Sequence, residues 1–272
     1  MFANYHMHTS YSEDSCFDME DVVKTSIKRG LDEICFTDHI DLMTGENCTF
    51  PYKSYEYDFL KCKEKYSDKI TLKLGMEFGM QYTTIPAFEK IFARGNFDFI
   101  LMSAHIVDNK WLYCGAYQNG KTQEEYNIGY YEEILRLVEN FDNFSVLGHL
   151  DVIRRYDTQG YFPFEKIKPI VEKILKTVIN KGKGIELNTS CYRYGIGDLM
   201  PSRDILRLYK SMGGKIITIG TDSHCEAHVD MDLQRGLGEL LALGYTEFCT
   251  FDKMKPQFHS LEKAVDLFSK SH

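Results

Sequence analysis

Three features of the sequence predict an α/β fold built from βα units around a parallel sheet. Seven short apolar, β-branched or aromatic runs recur along the chain, with helical stretches between them. No linker rich in Pro, Gly or Ser divides it, and the six prolines fall in loops or at helix starts. Its 272 residues, 43% hydrophobic and 26% charged, match an ordinary globular protein and exclude disorder or collagen-like repeats. Residues 1–272 are therefore expected to form a single domain around one core.

The expected strands are 2–5, 33–36, 70–74, 97–102, 144–147, 184–187 and 215–219. Helices are expected at 19–30, 126–141, 169–182 and 202–214. In the first, Val22, Val23 and Ile27 form an apolar face and Gly30 ends it. Ser202 is placed to cap the fourth, which stops at paired glycines. Long connections at 40–54, 107–125 and 154–168 are rich in Tyr, Phe and Asn. Loops that follow the strands of an α/β barrel line its active-site face, so these three are expected walls and lids of a pocket. Residues 251–272 read as a last loop and helix.

With 32 basic and 40 acidic side chains the net charge is −8, a surface that repels phosphate backbones and anionic lipid. Neither nucleic acid nor membrane is an expected partner. A phosphate-bearing substrate would need a local basic patch or bound metal ions. The opening MFANYHMHTS has no basic stretch followed by an apolar run, and no segment approaches about 18 uninterrupted apolar residues, so a cytoplasmic location is expected. Eight cysteines without one CxxC pair read as reduced, partly buried thiols rather than a zinc ribbon or redox site.

The chemistry sits just past the strands. His6 and His8 follow the first, Asp38 and His39 the second, Glu77 the third, His105 the fourth, and His149 and Asp151 the fifth. Glu186 and Asn188 mark the sixth strand, Asp222 and His224 the seventh. Singly, each has an ordinary explanation: a core or surface histidine, a paired carboxylate, a helix cap. Together, the strand ends of a parallel barrel converge on one rim, and so many buried imidazoles and carboxylates are costly to desolvate without a cation. With divalent ions the same set is a coordination shell. His228, His259 and His272 lie outside the pattern and read as surface histidines.

The ordered motifs HMHTSYSED, TDH, GMEFG, SAH, GHLD and TDSH, spanning Tyr5 to His224, resemble the polymerase and histidinol phosphatase (PHP) family of metal-dependent phosphoesterases. GHLDVIRRY, and ELNTSCYR followed by MPSRDIL, resemble its stand-alone histidinol-phosphate phosphatase branch. The resemblance implies a distorted (β/α)7 barrel with a metal site at the C-terminal ends of the strands. It implies one metal at His6, His8, Glu77 and Asp222, and a second bridged by Glu77 to His105 and His149. A third would sit at Asp14, His39 and His224, where Asp14 replaces the histidine of many relatives. The two to three ions would be zinc, iron or manganese. Asp38 and Asp151 read as groups orienting imidazoles, with Asp38 equally a turn residue.

The implied reaction is hydrolysis of L-histidinol phosphate to L-histidinol and phosphate, a step of histidine biosynthesis, by hydroxide held between the Glu77-linked metals. The barrier reduction needed is on the order of 20 kcal/mol. Arg155 and Arg193 are the expected phosphate clamp, with Arg154 a weaker candidate. The leaving alkoxide takes its proton from a metal-bound water, Asp222 or His224, and the sequence does not choose among them. The alternatives are a phosphodiesterase or nuclease, a phosphatase of another small monoester, and a non-catalytic metal-binding module. The first lacks the Lys/Arg run a basic groove requires.

Overall fold

The computed structural model describes residues 1–269; His272 lies outside them. The strands are β1 (Ala3–Asn4), β2 (Glu33–Phe36), β3 (His39–Asp41), β4 (Thr71–Gly79), β5 (Phe99–Ser103), β6 (Ile106–Val107), β7 (Lys110–Trp111), β8 (Val146–Leu147), β9 (Gly184–Asn188), β10 (Ile217–Gly220), β11 (Glu247–Asp252) and β12 (Lys255–Ser260). Each of the seven expected runs overlaps a strand of the barrel sheet. These seven form one sheet in the order β1-β2-β4-β5-β8-β9-β10, every neighbouring pair parallel. Their side chains are buried almost without a break, as parallel strands covered on both faces require. The ends of the sheet meet: Tyr5 N–H donates to Ile219 O at 3.0 Å and His8 N–H to Ser223 O at 2.9 Å. The result is a distorted (β/α)7 barrel, an α/β fold.

The helices are α1 (Met19–Lys28), α2 (Tyr52–Lys65), α3 (Ile85–Phe92), α4 (Gln123–Asn140), α5 (Phe164–Asn180), α6 (Ser190–Arg193), α7 (Arg203–Ser211), α8 (Leu233–Ala242) and α9 (Leu261–Ser269). Four of them, α1, α4, α5 and α7, occupy the expected positions. Ser202 caps α7, its hydroxyl accepting from Ile205 N–H. Helix α4 starts early because Thr122 and Glu125 form a reciprocal capping box. Helix α5 runs through Pro169 instead of starting there, since the buried stripe Ile167, Val171, Ile174 and Val178 extends across it.

Two expectations are corrected. The connection 40–54 is not all loop: β3 opens it and α2 closes it. Strand β4 is long enough to pair first with β2, at Thr71 to Leu74, and then with β3, at Glu77 to Gly79. The segment from residue 251 is not a loop and helix, because Phe251 belongs to the β11–β12 hairpin that precedes α9. That hairpin sits at the N-terminal mouth of the barrel. Phe251 packs its ring 5.1 Å from that of Phe99, and Met254 N–H donates to Asp98 O at 2.8 Å. Among the described residues, no helix is long and apolar enough to cross a membrane.

Candidate metal centre

The opposite, C-terminal mouth collects the polar side chains. Alternation along the chain after β1 turns His6 and His8 to the same side, and both are fully buried. Glu77 projects from β4 beneath them; Ser103 at the end of β5 donates its hydroxyl to Glu77 Oε1 at 2.6 Å. His105 and His149 lie two residues beyond β5 and β8. Asp222 follows β10 in the left-handed region at φ 54, a strained position for a residue with a side chain.

Glu77 is the hub of this cluster. Its Oε2 lies 3.2 Å from His6 Nε2 and 3.6 Å from His8 Nε2, and Asp222 Oδ1 lies 3.6 and 3.4 Å from the same two nitrogens. Its Oε1 lies 3.0 Å from His149 Nε2 and 3.3 Å from His105 Nε2. At the rim, Asp14 Oδ1 lies 2.9 Å from His39 Nε2 and 3.2 Å from His224 Nε2. Three donor sets, His6/His8/Asp222, His6/Glu77/His149 and His8/His39/His224, each have their ligand atoms within 4.8 Å of one another. No cysteine joins them.

The electrostatics fit a cation. Burial, reinforced by His224 alongside, pushes the His8 imidazole down to about 3, and its buried Nε2 makes no well-formed hydrogen bond among the described residues, with Asp222 Oδ1 3.4 Å away. That is a neutral ring with a lone pair aimed into the cluster. Burial opposes charge on Glu77 and on Asp222, yet His6 heads the opposing partners of each and holds both well below the usual carboxylate range. Burial also opposes charge on His39, but Asp14 and Asp41 raise it to about 11. Metal ligation needs deprotonated donors, and carboxylates held below their usual range beside a lowered imidazole meet that need.

The second layer fixes the ring tautomers. Asp41, inside the stretch expected to be loop, accepts from His105 Nδ1 at 2.7 Å and from His39 Nδ1 at 2.8 Å. Sequence reasoning missed it; the usable signal was that residues 39 and 41 share one face of a short strand. Glu186, noticed at a strand end without a role, accepts from His6 Nδ1 at 2.6 Å and from the His149 N–H at 2.8 Å. Asp38 touches no imidazole: it takes the Thr9 N–H at 2.7 Å and the Ser12 hydroxyl at 2.8 Å. Ser12 Oγ in turn lies 3.1 Å from His8 Nδ1, so Asp38 acts at one remove. Asp151 orients no imidazole either: its Oδ2 accepts from Arg154 and from the Ser202 N–H, each at 2.8 Å, and its buried Oδ1 reaches no hydrogen-bond partner among the described residues.

The arginines part ways. Arg154 donates to Asp151 and, at 2.9 Å, to Leu199 O, which ties it to the scaffold. Arg155 lies over the cluster with Nη1 3.6 Å from Asp222 Oδ2. Arg193 is pinned beside it by donation to Thr221 O at 3.1 Å and Asp222 O at 2.9 Å. Next to Arg155, Tyr156 helps line a cavity of about 400 Å³ with Gln118, Asn119, Tyr126 and Gln159. Two of the three expected loops form its walls. His228 and His259 are half-buried and stand apart from the cluster.

Fold and site define a class: an α/β barrel with a metal-type donor cluster at its C-terminal rim. The chain belongs to the PHP domain family, whose model matches residues 4–190. It is 30% identical over 256 residues to the histidinol-phosphatase of Lactococcus lactis subsp. lactis, covering 93% of this chain and 95% of that protein. A probable histidinol-phosphatase of Thermotoga maritima is 28% identical over 251 residues, covering 92% and 95%. The crystal structure of the Lactococcus lactis histidinol phosphate phosphatase, complexed with zinc, L-histidinol and phosphate, superposes with a TM-score of 0.86. That match is 30% identical and covers 94% of this chain and 98% of the other.

Proposed function

We propose that this chain is a histidinol-phosphatase, a phosphoric monoester hydrolase that cleaves L-histidinol phosphate to L-histidinol and phosphate. One observation carries the reading: imidazoles and carboxylates converge on Glu77 beneath two guanidinium groups, in a chain 30% identical to a histidinol-phosphatase over nearly its whole length. Residues 1–272 act as one domain, and the eight free thiols accord with a reducing, cytoplasmic setting.

His6, His8, Glu77 and Asp222 would hold one divalent ion, Glu77, His105 and His149 a second, and Asp14, His39 and His224 a third. Zinc is the ion in the Lactococcus lactis structure. Such ions neutralise charge on phosphoryl oxygens and make water a competent nucleophile at neutral pH. The chain's own residues set the geometry. Asp41 and Glu186 hold the Nδ1 protons of His39, His105 and His6, so the Nε2 lone pairs face the barrel axis. Arg155 and Arg193 present N–H donors to the phosphoryl group. The cavity beside Tyr156, the residue after Arg155, is the proposed place for the alcohol portion of a small monoester.

Phosphate release across a panel of L-histidinol phosphate, p-nitrophenyl phosphate, other monoesters and a single-stranded oligonucleotide tests this. The expected kcat/KM for L-histidinol phosphate exceeds the other monoesters by at least about 100-fold. Equal rates would leave a generic phosphatase, and efficient oligonucleotide trimming would replace the reading with a nuclease.

A further inference from the structure

Resting on the phosphatase reading above, we propose that Tyr194 is a positioning residue whose ring fixes the Arg155 guanidinium as the free half of the phosphate clamp. The two residues come from loops after neighbouring strands: Arg155 from the short turn Val152–Tyr156 after β8, and Tyr194 from the end of α6 after β9. The Arg155 Cζ lies 3.2 Å from the Tyr194 ring centre and 5.3 Å from that of Tyr156. Arg193 flanks the same ring, its Cζ 5.0 Å from the centre.

The two guanidiniums are held by different means. Arg193 spends N–H groups on two backbone carbonyls, at 3.1 and 2.9 Å. The Arg155 side chain makes no hydrogen bond among the described residues, and its 3.6 Å ion pair with Asp222 is too long for one. Stacking holds a guanidinium by its face and leaves the N–H groups on its edge unspent. Only that arrangement keeps a long side chain in place and its donors available to phosphoryl oxygens. The Tyr194 side chain is 44% exposed and its hydroxyl meets no partner among the described residues, so the ring face is the working part.

Zinc-loaded wild-type, Tyr194→Leu and Tyr194→Phe proteins are compared for the Kd of inorganic phosphate by calorimetry, for KM and kcat on L-histidinol phosphate, and for metal content. Tyr194→Leu should raise both the phosphate Kd and KM roughly five- to tenfold, with kcat within about twofold and metal content unchanged. Tyr194→Phe should match wild type. In an Arg155→Met background, Tyr194→Leu should add less than about a further twofold, because the partner it positions is gone. The proposal is overturned by an unchanged phosphate Kd in Tyr194→Leu, by Tyr194→Phe as weak as Tyr194→Leu, or by a full effect without Arg155. A wild-type chain that binds phosphate in a Tyr194-dependent way but does not hydrolyse L-histidinol phosphate supports the clamp and overturns the assigned substrate.

Discussion

Asp41 shows how one carboxylate ties together two ligand positions that the sequence treats as separate. Its two oxygens serve His39 and His105, which are proposed ligands of different ions. An amide in its place offers one acceptor and turns an NH2 toward the other Nδ1–H, leaving a buried donor unmet at a cost of about 1–3 kcal/mol. Asp41→Asn should therefore lower metal retention about 10- to 100-fold while the protein stays folded, read as metal content after dialysis against graded chelator. Unchanged retention would reduce Asp41 to a bystander. Glu77→Ala should be worse, keeping less than about a tenth of wild-type turnover, because it removes the oxygens facing four imidazoles at once. The imidazoles and Glu77 were legible because strand ends converge. Asp41 was hidden in a stretch with no apolar run, and Asp151 misled because closeness to His149 in the chain did not bring its carboxylate to the ring.

At the scale of elements, the run expected at 70–74 is only the first half of β4, which continues through GMEFG to Gly79. That extension carries Glu77 to the rim and leaves its end against Asp41. A Cβ at residue 79 would fall 1.8 Å from Asp41 Oδ1 and 3.0 Å from His105 Nδ1, so only glycine fits. Gly79→Ala should displace Asp41, cost about 1–3 kcal/mol in thermal unfolding and reduce metal retention together. Gly238→Ala, in the middle of α8 with nothing within 4 Å of the added methyl, should instead gain up to about 1 kcal/mol and leave metal content alone. Loss of stability at both sites would mean that helix propensity and close approach had been misjudged alike. Strands were easier to read than helices here. Helix α2 buries only Tyr55, Phe59 and Cys62 among lysines and other tyrosines, and the exposed β12 offers no apolar run.

For the whole molecule, the decisive feature is the seam where the first and last barrel strands meet. It joins residues more than 200 positions apart, as in the 2.7 Å bond from the Asn4 amide to Thr221 Oγ1. Beside it, His6 and His8 face Asp222 and His224 across the join, so the ions proposed for those residues would cross-link the beginning and end of the barrel. Such ions bind the folded chain alone and stabilise it by about 4 kcal/mol when present at a thousand times their Kd. For a chain of this length, chelation should lower the melting temperature by roughly 8–15 °C, restored by zinc. The loss should also be local. Hydrogen exchange should quicken at the amides of Tyr5 and His8, whose partners Ile219 and Ser223 lie across the seam, well before it does at the central pairing of β4 with β5. Uniform quickening across all strands would mean that the ions stabilise the barrel without bridging its ends. Exchange unchanged at the seam would place the metals elsewhere.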